Sequence, residues 1–134
     1  MEKVYESPNW AIYWHIKGEV IHFIFTPNTS KISEEEYLDE LKAFIPLVEK
    51  YKPKAILADT RDFGFVNSPD VQEWINKNIL ALYAKIGVRK HAVLVSSDLF
   101  TAVAVEMTMD EDRSGTFQNQ YFEDETLAKT WLLA

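Results

Sequence analysis

The start of the chain alternates between apolar and polar residues in a way that predicts a β-hairpin. The two strands share one apolar side, which consists of Trp10, Ile12, Trp14, Ile16, Ile21, Phe23 and Phe25. Gly18 lies in the turn between the strands, where it can adopt the positive φ that tight hairpin turns require. A further strand over residues 3–7 precedes the hairpin. We therefore expect a sheet that buries this apolar face.

The other side of the hairpin carries His15 and His22. Two imidazoles on one sheet face are candidate metal ligands, but the hairpin offers no third histidine, and its only carboxylate is Glu19 in the turn. Polar pairs across strands are common on half-exposed sheet faces. The sequence therefore predicts a half-exposed face and no metal site.

A helix is predicted after the hairpin, because apolar residues then recur three and four positions apart. Ser33 and Glu36 form a capping box at its start, and Pro53 follows its end. Pro46 lies inside this helix and lacks a backbone donor, so we expect a kink or a short break there. The apolar stripe consists of Tyr37, Leu38, Leu41, Phe44, Ile45 and Val48.

A second helix is predicted from Ser68 as N-cap and Pro69 at the first helical position to Gly87 at the end. Its apolar stripe consists of Val71, Trp74, Ile75, Ile79, Leu82, Tyr83 and Ile86. Three short runs predict further strands, at residues 55–58, 91–96 and 118–122. Asp124 caps a final helix. Residues 98–110 fit a helix and a strand, and the acidic residues near their ends favour the helix.

The resulting order is β-β-β-α-β-α-β-α-β-α over a single domain, residues 1–134. It predicts an α/β fold with a mixed sheet, an N-terminal antiparallel hairpin, and later parallel strands joined by helical crossovers. About four helices should pack mainly on one face of this sheet.

Composition and charge narrow the classes of protein. The chain has no cysteine, which excludes disulfides and thiolate metal sites. It lacks a signal-peptide pattern and a long apolar run, so we expect a cytoplasmic protein without a transmembrane segment. The net charge of -7 argues against nucleic acid as a partner, because affinity for phosphates depends on clustered Lys and Arg.

The loop after the strand at residues 55–58 contains the candidate site. Ligands and partners of open α/β sheets collect beyond the carboxyl ends of strands, and this strand runs into a carboxylate. The candidate binding or regulatory residues are Asp59, Arg61, Asp62, Asn67 and Ser68.

This set of side chains could in principle serve acyl or phosphoryl chemistry, but it does not predict an enzyme. The loop has no histidine base, and the chain has no Gly-x-Ser-x-Gly elbow and no phosphate-binding glycine loop. An ion pair among Asp59, Arg61 and Asp62 would hold the loop in shape. We expect no catalytic residues, no bound metal and no cofactor.

The element order, this loop and the closing segment Tyr121–Leu132 resemble the STAS-type fold, within it the bacterial SpoIIAA-like group of small single-domain proteins. That group is similar in fold to the CRAL-TRIO lipid-carrier domains. In anti-sigma-factor antagonists of this fold, a strand ends in Asp, and an Asp-Ser-Ser-Gly or Asp-Ser-Thr-Gly segment presents a phosphorylatable hydroxyl at a helix start. Asp59 matches the strand-ending Asp, Asn67 the acidic position and Ser68 the hydroxyl. Pro69 and Asp70 depart from the pattern.

The resemblance implies a non-enzymatic regulatory or protein-interaction module with loop 59–70 and the following helix as its binding surface. A phosphate on Ser68 would add a charge of about -1.5 to -2 at a helix N-terminus. The alternative is a small-molecule or lipid-binding protein of CRAL-TRIO-like character with a small apolar ligand. Its candidate aromatic contacts are Trp10, Trp14, Phe23, Phe25, Trp74 and Trp131. Exposed edge strands would also permit a homodimer.

Overall fold

The computed structural model describes residues 1–100 and 117–134, which form a six-stranded mixed sheet. The strands lie side by side in chain order: β1 (Glu2–Glu6), β2 (Trp10–His15), β3 (Val20–Phe25), β4 (Ala55–Asp59), β5 (Lys90–Leu94) and β6 (Gln118–Phe122). β2 pairs antiparallel with both β1 and β3, and β3 to β6 are parallel. The predicted α/β fold with a leading hairpin is confirmed.

Helices join and cover these strands. They are α1 (Glu34–Tyr51), α2 (Pro69–Ile75), α3 (Ala81–Ile86) and α4 (Glu125–Leu133), with a 3-10 turn at Pro27–Lys31 and a π-helical turn at Asn76–Leu80. Residues 97–100 are also helical. Most of the segment 98–110, for which helix and strand were weighed, lies outside the described residues. Among the described helices, none combines the length and apolar character needed to span a membrane.

The capping box that starts α1 is present as predicted. The Glu36 N–H donates to Ser33 Oγ at 3.1 Å, and the Ser33 N–H donates to Glu36 Oε1 at 3.3 Å. The predicted break at Pro46 does not occur, because α1 continues through it. Pro46 is exposed, whereas Phe44 and Val48 on either side of it are buried against the sheet and hold both halves of the helix in place.

The second predicted helix is interrupted by the π turn between α2 and α3. Residues four apart drift by about 40° around an α-helix at each step. The wider π turn reduces this drift, so that Val71, Ile79 and Tyr83 are all buried. Gly87 ends α3 with a φ of 90°, as the sequence predicts.

The two faces of the sheet are covered unequally. The larger core lies between one face and α1 to α3, and its buried members are Trp10, Ile12, Ile21, Phe23, Phe25, Tyr37, Leu41, Phe44, Val48, Ile56, Ala58, Val71, Ile79, Tyr83 and Val88. The smaller core on the other face lies between α4 and the four strands from β3 to β6. Its buried members are Val20, Ala55, Leu57, Ala92, Leu94, Phe122, Ala128 and Leu132. Helices thus lie mainly on one face.

The predicted apolar face of the hairpin is wrong at Ile16. It was placed with the core residues, yet it is 83% exposed, whereas Ile12 is 0% exposed. β2 ends at His15, so Ile16 belongs to the turn and does not continue the alternation of the strand.

The two isoleucines provide a matched test of the core boundary. Ile12→Ala should lower the free energy of unfolding by about 2–5 kcal/mol, because it empties a fully packed site. Ile16→Ala should change it by less than about 0.5 kcal/mol. Urea denaturation of both variants measures the difference, and equal losses would contradict the boundary.

Candidate functional site

The candidate site begins with a buried carboxylate. All five residues of β4 are buried, and the strand ends at Asp59. Arg61 binds this carboxylate with two side-chain atoms: Nε donates to Oδ1 at 3.0 Å and Nη2 donates to Oδ2 at 2.6 Å. The Arg61 backbone N–H also donates to Oδ1, at 3.2 Å. A carboxylate removed from water needs hydrogen bonds that compensate for its lost hydration. Because Arg61 provides them from only two residues away, they also fix the start of the loop.

A second carboxylate reaches the same arginine from α4. Arg61 Nη2 lies 3.3 Å from Glu125 Oε1, and Lys129 Nζ, one helical turn further on, lies 2.7 Å from Glu125 Oε2. The hydrogen bond from Lys129 is the main cause that lowers the pKa of Glu125. The site thus alternates two anions with two cations.

Side-chain hydrogen bonds are present at both ends of α4. Asp124 Oδ1 accepts the Leu127 N–H at 2.9 Å, which caps the N-terminus as the sequence predicts. Near the C-terminus, Lys90 Nζ donates to the carbonyl oxygens of Trp131 at 2.7 Å and Ala134 at 3.2 Å. The cap defines where α4 begins and Lys90 ties its last turn to β5, whereas Glu125 in the first turn reaches the end of β4 through Arg61.

His22 lies beside these carboxylates. In the parallel register His22 pairs with Leu57, two residues before Asp59 on the same face. It is 3% exposed, and neither ring nitrogen has a hydrogen-bond partner among residues 1–100 and 117–134. Burial lowers the pKa of His22 to about 4, although the charge of Glu125 opposes this shift. The expected half-exposed face is therefore wrong at His22, because α4 covers the sheet there.

Three side chains from three elements converge at this point. One ligand-type atom each of His22, Asp59 and Glu125 lies within 4.8 Å of the others. The hairpin alone offers its histidines a single carboxylate, Glu19 in the turn. β4 and α4 supply two, which a search confined to the hairpin could not find.

A cavity of about 100 Å³ adjoins His22 on the α4 side of the sheet. It is lined by His15, Lys17, Val20, His22, Leu57, Lys129, Leu132 and Leu133. His15 Nε2 is also buried without a partner in the described part of the chain. The volume is well below the roughly 300–1,000 Å³ of pockets for drug-sized ligands.

Hydrogen bonds to β5 and to the 3-10 turn anchor the loop that follows Asp59. The Thr60 N–H and hydroxyl both donate to the Leu94 carbonyl oxygen, at 2.9 and 2.7 Å. The Gly64 N–H donates to Oγ1 of the fully buried Thr29 at 2.9 Å. A Cβ at Gly64 would lie 2.6 Å from Ser30 Cβ, so this close approach requires glycine.

Two aromatic residues of the loop complete the anchor. Phe63 packs against Phe25 with ring centroids 4.5 Å apart, and Phe65 packs against Tyr37 at 4.7 Å. Val66 follows immediately and is 85% exposed. The loop therefore has a fixed inner side and an exposed apolar tip.

The structure divides the five predicted site residues. Asp59 and Arg61 join the cluster of His22 and Glu125, and Asp62 lies exposed in the loop. Asn67 Nδ2 is 3.3 Å from Gln72 Oε1.

Ser68 serves the start of α2. Its Oγ accepts the Val71 N–H at 3.2 Å, and its hydroxyl donates to Glu34 Oε1 at 3.0 Å. Ser68 is thus a helix cap that also links the loop to the first turn of α1.

The aromatic residues considered for ligand binding pack in the hydrophobic cores. Trp10 stacks on Phe25 with centroids 5.1 Å apart, Trp14 contacts Tyr51 at 4.9 Å, and Trp131 contacts Phe122 at 5.6 Å. These contacts give the three tryptophans a role in packing.

Comparisons with known proteins return no match: no family model, no curated protein and no solved structure. Function is therefore inferred from the chemistry of the loop and of the cluster at Asp59.

Sequence reasoning missed His22, Glu125 and Lys129 as members of the site. The spacing of Glu125 and Lys129, four residues apart after the cap at Asp124, indicates an ion pair at the start of α4. No sequence signal indicates that this pair meets the end of β4. That meeting depends on how α4 docks on the sheet.

Arg61→Met should lower the free energy of unfolding by about 1–3 kcal/mol, because it leaves the buried Asp59 carboxylate without its charged donors. Adding Asp59→Asn should restore most of this loss, since the amide carries no charge. Urea denaturation of both single variants and the double variant measures the coupling. Additive losses in the double variant would contradict the pairing.

Proposed function

We propose that the chain is a non-enzymatic regulatory or protein-interaction module of STAS/SpoIIAA-like type. Its binding surface is loop 59–70 with the start of α2. The shape of the loop supports this proposal. Its inner side is fixed by Thr29, Phe63 and Phe65, and Val66 projects from its tip. Because the loop is already ordered, a partner that binds it loses little conformational entropy.

The charges around the loop define the partner. The hydrogen bond from Ser68 to Glu34 places the acidic start of α1 beside the loop. The exposed acidic residues of this region are Glu34, Glu35, Glu36, Asp62 and Asp70. A protein with an apolar pocket for Val66 and surrounding Lys or Arg residues would complement this surface.

Phosphorylation of Ser68 would act by repulsion at this surface. Its hydroxyl already donates to Glu34 Oε1, and Asp70 lies in the first turn of α2. A phosphate would bring further negative charge against both carboxylates, although the helix N-terminus favours it. Such a switch would loosen the contact between α1 and the loop, and the affinity of a partner for the loop would change as a result.

A small-molecule carrier is the second candidate, and the cavity beside His22 is the observation that favours it. Its small volume suits a compact molecule better than a lipid chain. Its lining combines two histidines and two lysines with four aliphatic side chains, so the molecule would need both polar and apolar parts. Native mass spectrometry of the protein from its own host would separate the two candidates, since a carrier retains extra mass that denaturation removes.

Val66→Ser should weaken partner binding by about tenfold or more, because it removes the apolar tip of the loop. Affinity capture from extracts of the source cells, followed by titration of the captured protein, measures this loss.

Ile16→Ser is the matched control, since Ile16 is equally exposed but lies in the β2–β3 turn. It should leave the same partner bound with unchanged affinity, and both variants should match the wild type in stability. Equal binding by both variants would refute the loop as the surface.

A further inference from the structure

We propose that His22, Asp59 and Glu125 form a binding site for one divalent transition-metal ion, and that Arg61 occupies the Asp59 carboxylate when the ion is absent. The site lies on the α4 side of the sheet. It does not depend on the partner proposed for loop 59–70.

The imidazole of His22 is the strongest argument for a ligand. A buried polar ring normally finds a hydrogen-bond partner, and within the described residues this ring has none at either nitrogen. A metal ion would satisfy one nitrogen directly.

The geometry requires only a small contraction. Ligand atoms around tetrahedral zinc lie roughly 3.4 Å apart, given metal–ligand bonds of about 2.0–2.2 Å. The three candidate atoms already lie within 4.8 Å of one another. His22 and Asp59 are held by paired strands, whereas the Glu125 side chain is 37% exposed on the first turn of α4 and has room to adjust.

The charges permit the exchange of Arg61 for a metal ion. Asp59 and Glu125 together carry two negative charges, which Arg61 and Lys129 balance in the absence of an ion and which a divalent ion would balance by itself. The Arg61 side chain is 41% exposed and can turn towards solvent. Its backbone N–H would remain on Asp59 Oδ1 and orient the carboxylate.

The donor set indicates which metals fit. One imidazole and two carboxylates suit zinc, manganese, iron(II) or cobalt(II), whereas copper(I) prefers sulfur ligands. Three protein ligands leave at least one coordination position for water or an added ligand.

The test uses metal-free full-length protein titrated with Zn²⁺ by calorimetry and with Co²⁺ by absorption spectroscopy. We expect one ion per chain and a cobalt spectrum of low-symmetry N/O coordination. His22→Phe and Asp59→Asn should each weaken binding by about tenfold or more. Arg61→Met should tighten it, because the competing cation is gone.

His91→Phe is the matched control, because His91 lies on β5 and its Nδ1 is 2.6 Å from Asn119 Oδ1. It should bind zinc with wild-type affinity. Glu125→Gln provides a second ligand variant at a partly exposed helix position if His22→Phe does not fold. A dissociation constant weaker than about 1 mM for the wild type, or unchanged binding by the folded ligand variants, would overturn the site.

Discussion

The need to compensate one buried carboxylate organises much of this structure. β4 is covered on both faces, so the charge of Asp59 at its end cannot be left to water. Arg61 meets that need from two residues away, which turns the chain sharply after the strand. The same guanidinium reaches Glu125, so the requirement of one side chain links the central strand, the loop and α4.

The contact of Arg61 with Asp59 and Glu125 gives a polar region to the face of the sheet that α4 covers. α4 is a short helix that covers only part of the face, and its apolar contacts are few beside those of α1 to α3. Ion pairs at its first turn and the lysine clamp of Lys90 at its last turn supplement those contacts. The result is a polar cluster and a small cavity where a uniform apolar layer would otherwise lie.

Local patterns predicted most of the fold. Alternation located the hairpin, and caps at Ser33, Ser68 and Asp124 placed three helix starts, because these signals act over a few residues. Ile16 was misplaced since alternation alone does not show where a strand ends. The π turn was missed because it serves the packing of two helical halves on the sheet, which local propensity does not encode.

The candidate site was predictable only in part for the same reason. Asp59 and Arg61 are neighbours in sequence, and their pairing followed from that proximity. His22 and Glu125 are far apart in the chain, and they meet through strand register and helix docking. A local sequence pattern specifies neither the strand register nor the docking position of a helix. His22 was therefore interpreted only together with its neighbours in the hairpin.

The chain-order arrangement of the sheet has a consequence for how the protein folds. Each of the six described strands after β1 pairs with the one before it, so each can join the edge of a sheet that already exists as the chain emerges from the ribosome. α4 comes after all of these strands. Until it docks, Asp59 has Arg61 but not Glu125, and His22 faces water. The cluster is thus complete only once α4 has docked on the sheet.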